Sequence, residues 1–129
     1  MMQQISAYLT SIILGIMFFF SFVVAPVTFT ILDEENARKF IRKIFPFYYN
    51  VNLTISFLVL VYFIILKNFS LNFYIILAVT LLFALSNFLL MPLINKYRDE
   101  KKEKKFKNLH LISVVINFLQ MILLVFILF

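Results

Sequence analysis

Four uninterrupted apolar stretches, approximately Ile5 to Leu32, Phe45 to Leu66, Phe73 to Ile94 and Leu109 to Phe129, take up most of this chain. Each reaches the length of about 20 residues that an α-helix needs to cross the hydrocarbon core of a bilayer. Backbone groups cannot hydrogen-bond to lipid, and these runs are too long and too uniformly apolar for barrel strands, so each is expected to be a helix. The composition agrees: 64% of the 129 residues are hydrophobic, 14% are charged, and the mean hydropathy is +1.01, far from soluble averages. The expected fold is an all-α integral membrane four-helix bundle, one transmembrane domain over residues 1–129. The first stretch lacks a basic leader and a small-residue cleavage site, so it reads as a span and not as a cleaved signal peptide.

The charges are segregated between the spans. Asp33, Glu34, Glu35, Arg38, Lys39, Arg42 and Lys43 follow the first span. Lys96, Arg98, Asp99, Glu100, Lys101, Lys102, Glu103, Lys104, Lys105 and Lys107 follow the third, and only Lys67 lies elsewhere. These two loops emerge on one side and hold eleven of the twelve basic residues, so the positive-inside rule puts loops 33–43 and 96–107 in the cytoplasm and both termini outside. The expected location is a multi-pass position in the inner (cytoplasmic) membrane, with the basic loops against anionic headgroups. The sequon Asn68-Phe69-Ser70 lies in a tight turn against the membrane and is discounted. Neither basic loop carries an aromatic stacking platform or a nucleic-acid-binding signature, so no nucleic-acid partner is expected.

Local signals add detail. Pro26 predicts a kink near the end of the first span. DEENARKFIRKIF predicts a short interfacial amphipathic helix, with Asp33 as N-cap, Glu34 with Arg38 and Glu35 with Lys39 as i,i+4 pairs, and Ala37, Phe40, Ile41 and Ile44 as its apolar face. Pro46 is expected to open the second span. In the absence of Trp, Tyr8, Tyr48, Tyr49, Tyr62, Tyr74 and Tyr97 are the candidates for an aromatic belt.

Polar residues in the spans gather toward the cytoplasmic side. In the fourth span His110, Ser113, Asn117 and Gln120 fall within a stripe about 80° wide on a helix advancing roughly 100° per residue, so they share a face. Asn52 with Ser56, and Asn87 with Asn95, also repeat at helical spacing. These positions, Asn52, Ser56, Asn87, Asn95, His110, Ser113 and Asn117, predict a polar vestibule open to the cytoplasm, with interhelical hydrogen bonding as the alternative use of the same groups. His110 is expected at its mouth, hydrogen-bonded to Asn95 or Asn52. The chain has no Cys, its spans hold no carboxylate, and no catalytic constellation can be assembled from them. No enzymatic activity and no metal site are therefore expected.

Gly15, Phe22, Ala25-Pro26, Phe29, Ala37, Phe45-Pro46, Tyr48-Tyr49, Pro92, Ile94-Asn95, Arg98-Asp99, Phe106, Leu109-His110, Ser113 and Asn117 together resemble the transmembrane protein 205-like family. The resemblance implies a four-span membrane domain without an established molecular function. One animal relative is associated with cisplatin resistance, which implies membrane handling of metal-containing or toxic solutes. The architecture is more distantly similar to the copper-resistance D proteins and the HemJ type of protoporphyrinogen oxidase, which use histidines from several helices. This chain has one histidine. Three functions follow: a vestibule for a small solute or partner protein, a haem- or metal-binding redox protein using His110, and an accessory subunit of a membrane complex. A symmetric homo-oligomer would present His110 more than once.

Overall fold

The computed structural model describes residues 2–129. Its four helices each have the length and hydropathy to cross a membrane, and no strand occurs among the described residues. Helix α1 is α-helical over Met2–Phe19, passes through a π-helical segment at Phe20–Val24 and resumes at Ala25–Ile31. Helix α2 runs unbroken over Glu34–Ile65. Helix α3 repeats the pattern of α1, with Leu71–Leu85, a π-helical Ser86–Leu90 and Met91–Asp99. Helix α4 spans Glu103–Leu128. Each helix packs on the helices before and after it, and α4 closes the ring on α1. The chain is an all-α four-helix bundle.

Buried apolar residues form one core that includes Ile13, Met17, Phe20, Val59, Ile76, Val79, Phe83 and Leu124. The large exposed side chains, among them Phe22, Phe57, Tyr74, Phe88, Leu111 and Phe126, are apolar as well. Apolar surface both inside and outside is the signature of a bundle solvated by lipid.

Asp33 caps α2 as expected, its carboxylate accepting the Asn36 N–H at 3.0 Å. Arg38 pairs with Glu34, and Lys39 with Glu35 at 2.9 Å. The separate interfacial helix is not formed. Residues 34–45 are the first turns of α2 itself, and Pro46 lies inside that helix. Pro46 is exposed, and the bond it forgoes is to the Arg42 carbonyl, at the charged end of the bundle where polar surroundings make a missing hydrogen bond cheap. Tyr48 and Tyr49 also depart from expectation: both are buried, packed with Phe20 and Phe45, and neither belongs to a belt.

At Pro26 the helix widens. The Ala25 N–H reaches the Phe20 carbonyl, an i→i−5 bond, and the Met91 N–H does the same to Ser86. A proline ring collides with the carbonyl four residues back, and a wider turn relieves the collision. Both π segments end two residues before a proline. The correspondence extends along the chain: FSFVVAPV (residues 20–27) matches SNFLLMPL (86–93), and at the same separation Asp33-Glu34 matches Asp99-Glu100 and Phe40 matches Phe106. The ring of neighbours maps onto itself when α1 exchanges with α3 and α2 with α4. The two helical hairpins thus share a π segment that leads into a proline at matching positions.

Two other turns lack the expected residue type. Lys67 and Lys101 have φ of 53° and 57°. Each occupies the left-handed position of a Schellman motif, with Asn68 N–H to Phe63 O at 3.0 Å after α2 and Lys102 N–H to Tyr97 O at 2.9 Å after α3.

Candidate functional site

Both basic segments meet at one end of the bundle, where Arg42 of α2 donates to Asp99 of α3 at 2.8 Å. Beneath them lies a cavity of about 790 Å³ bounded by all four helices. It lies between the two hairpins: Ala25 and Met91, Phe29 and Asn95, and Asp33 and Asp99 are matched positions of the repeat, and all six line it.

The inner wall is a hydrogen-bonded junction. The Tyr48 hydroxyl donates to Asn117 Oδ1 at 2.7 Å, and Asn117 Nδ2 donates to Ser21 Oγ at 2.9 Å, joining α2, α4 and α1. The Tyr48 ring stacks on Phe20 at 4.3 Å between centroids. On the other side of the bundle Asn87 Nδ2 donates to Asn50 Oδ1 at 2.8 Å, joining α3 to α2. Ser21 and Asn87 are each the second residue of a π segment, so both hairpins use the widened turn to direct a polar side chain at a neighbouring helix. Gln120, buried, closes the set by donating to the Val79 carbonyl at 3.0 Å.

The mouth is charged and aromatic. Arg38, Lys39, Arg42 and Arg98 line it with Asp33, Glu34, Glu35 and Asp99. The Arg98 guanidinium lies 4.5 Å from the centre of the Phe106 ring, and the His110 ring is stacked with the same phenyl at 5.9 Å, 8° from parallel.

Of the seven residues expected in the vestibule, Asn95, His110, Ser113 and Asn117 line this cavity. Asn52, Ser56 and Asn87 do not. Asn52 is fully buried, and neither its Oδ1 nor its Nδ2 has a partner. Ser56 is fully buried and donates to the Leu53 carbonyl at 3.0 Å. Asn87 is used in the bond to Asn50. His110 is exposed at the rim, and among the described residues no hydrogen bond links it to Asn95 or Asn52; it rests on Phe106 instead. The stripe on α4 turns inward only past this point, at Ser113, Asn117 and Gln120.

Sequence reasoning missed Ser21, Tyr48 and Arg98. Ser21 is the one hydroxyl in FFFSFVV, a detectable signal. Tyr48 was masked by the belt reading, and Arg98 by the surrounding run of basic residues.

Among the described residues no three His, Cys, Asp or Glu side chains are placed so that together they could hold a metal ion. To a haem iron or copper the cavity offers one imidazole, at its rim, and the Met91 thioether. This donor set does not fit a centre held by histidines from several helices.

Residues 8–103 match the family described as Domain of unknown function (DUF4149). The chain belongs to the DUF4149 family. The matched region takes in α1, α2 and α3, and with them Ser21, Tyr48, Asn95 and Arg98; the cavity residues of α4 lie beyond it. An uncharacterized protein of Aquifex aeolicus (strain VF5) is 36% identical over 53 residues, a stretch covering 41% of this DUF4149 chain and 40% of that relative. The match therefore spans less than half of the relative's length. No solved structure matches the chain. The family and the four spans make this a multi-pass membrane protein whose molecular function is not established.

Proposed function

We propose that this DUF4149 protein resides in the cytoplasmic membrane, with its basic end in the cytoplasm, and that its cavity receives a small solute from that side. The cavity is the observation that carries the reading. It is a half-open cleft of about 790 Å³ between the two hairpins, a volume within the range of ligand sites. Its lining combines aromatic surface with a few polar groups, the usual composition of such a site. Orientation rests on the positive-inside rule applied to residues 33–43 and 96–107.

Thermal unfolding of the amphipol-held protein tests this against octanol, octylamine, octanoate and octyl phosphate. At least one probe is expected to raise the unfolding midpoint saturably, and filling the cavity with Ala25→Trp is expected to weaken that probe at least tenfold. Saturable shifts from no probe, or from all probes equally in the Ala25→Trp protein, would refute a cavity that binds solutes.

A further inference from the structure

Four carboxylates and four side-chain cations line the cavity mouth, and all but one are engaged. Glu34 pairs with Arg38, Glu35 with Lys39 and Asp99 with Arg42, while Asp33 caps α2 through the Asn36 N–H. Arg98 is the exception. Among the described residues its side chain has no carboxylate within ion-pair distance and makes no hydrogen bond, and its Nε is buried without a partner. Its guanidinium carbon lies over the Phe106 ring, 4.5 Å from the ring centre. Only the Nε is buried; the side chain as a whole is partly exposed, so its remaining N–H groups are open to an acceptor that enters the mouth. A guanidinium is built for a planar or tetrahedral oxyanion, which it grips through two parallel N–H groups.

The repeat shows that this group is an addition to one hairpin. Arg98 corresponds to Leu32, Asn95 to Phe29 and His110 to Ile44. At these three positions the second hairpin carries a polar or cationic residue where the first carries an apolar one. Deeper in, the chamber is lined by Phe20, Phe45, Met91 and Phe118. A ligand that satisfies both sides has an acidic head and an apolar body.

We infer that the cavity binds an amphipathic anion, its carboxylate or phosphate held by Arg98 at the mouth and its apolar body against the aromatic chamber. The inference rests on the proposed solute-binding reading and names its ligand class. The acid has two sources: an anionic lipid headgroup entering with its chain, or a free amphipathic acid from the aqueous side. Simple electrostatic attraction to the surface would draw on all the basic residues alike and would not single out Arg98.

Binding of octyl phosphate, octanoate, octanol and inorganic phosphate to the amphipol-held protein, measured by calorimetry, separates the outcomes. The two octyl acids should bind at least tenfold more tightly than octanol and than inorganic phosphate. Arg98→Gln should remove that preference while leaving octanol unchanged, and Arg98→Lys should restore part of it. In nanodiscs of phosphatidylcholine, adding phosphatidylglycerol either blocks octyl phosphate, which identifies the ligand as a headgroup, or leaves it bound, which identifies a free acid; both support the inference. Undiminished binding of the acids to the Arg98→Gln protein, with Ala25→Trp still abolishing it, would overturn the anion assignment and leave the cavity reading standing. If Ala25→Trp has no effect either, both fall.

Discussion

The Tyr48 hydroxyl and the Asn117 amide oxygen are 2.7 Å apart, on helices separated by the whole of α3 in sequence. With the second bond from Asn117 to Ser21, this one amide joins three helices at the wall of the cavity. Interhelical hydrogen bonds in membranes average about 0.6 kcal/mol each, but removing one partner leaves the others unpaired, at about 1–3 kcal/mol per group.

Asn117→Leu is therefore expected to destabilise the bundle by about 2 kcal/mol or more, and Tyr48→Phe, which keeps the stacked ring and frees only one acceptor, by about 1 kcal/mol or less. The lipid-facing Val115→Leu should be neutral. Thermal unfolding in detergent checks the order; equal midpoints for Asn117→Leu and Val115→Leu would deny the junction.

Asn52 should respond in the opposite sense. Its amide is fully buried with no partner, so Asn52→Leu removes a desolvated polar group without orphaning another. The same measurement should show no loss, or a gain of about 1 kcal/mol. A loss as large as that of Asn117→Leu would mean that Asn52 is bonded in the membrane.

Lys101→Gly should stabilise the turn between α3 and α4. A residue with a Cβ loses roughly 1–2 kcal/mol in the left-handed conformation, and glycine returns part of this through its greater freedom in the unfolded chain. A net gain of up to about 1 kcal/mol is expected. Lys101→Ala should give no such gain.

Much of this architecture was legible before the structure. Length and hydropathy locate the four spans, Asp33 marks the start of α2, and the polar stripe on α4 identifies the inward face at Ser113, Asn117 and Gln120. What was not legible depends on tertiary context. Pro46 normally opens a helix, yet the amphipathic segment before it is itself helical and packs on the bundle through Ala37, which is buried, so α2 continues through. The π segments have no composition of their own; only the matching prolines, Pro26 and Pro92, point to them. The Schellman turns were hidden because Lys stands where Gly is expected. Arg98 was indistinguishable from its basic neighbours, since what sets it apart is the carboxylate it lacks and the ring it rests on. His110 lies at the rim with its ring against Phe106, and neither Asn95 nor Asn52 is its partner.

The central claim, a cavity that opens on the basic end and faces the cytoplasm, is tested most directly by single-cysteine accessibility, which the absence of native Cys makes clean. An impermeant thiol reagent should label Ser113→Cys and Lys102→Cys in inside-out membrane vesicles and spare both in intact cells, while labelling Ser70→Cys in intact cells. Thr10→Cys, buried in the other half of α1, should stay unlabelled from either side. Labelling of Ser113→Cys from outside the cell, or from neither side while Lys102→Cys reacts normally, would contradict the account.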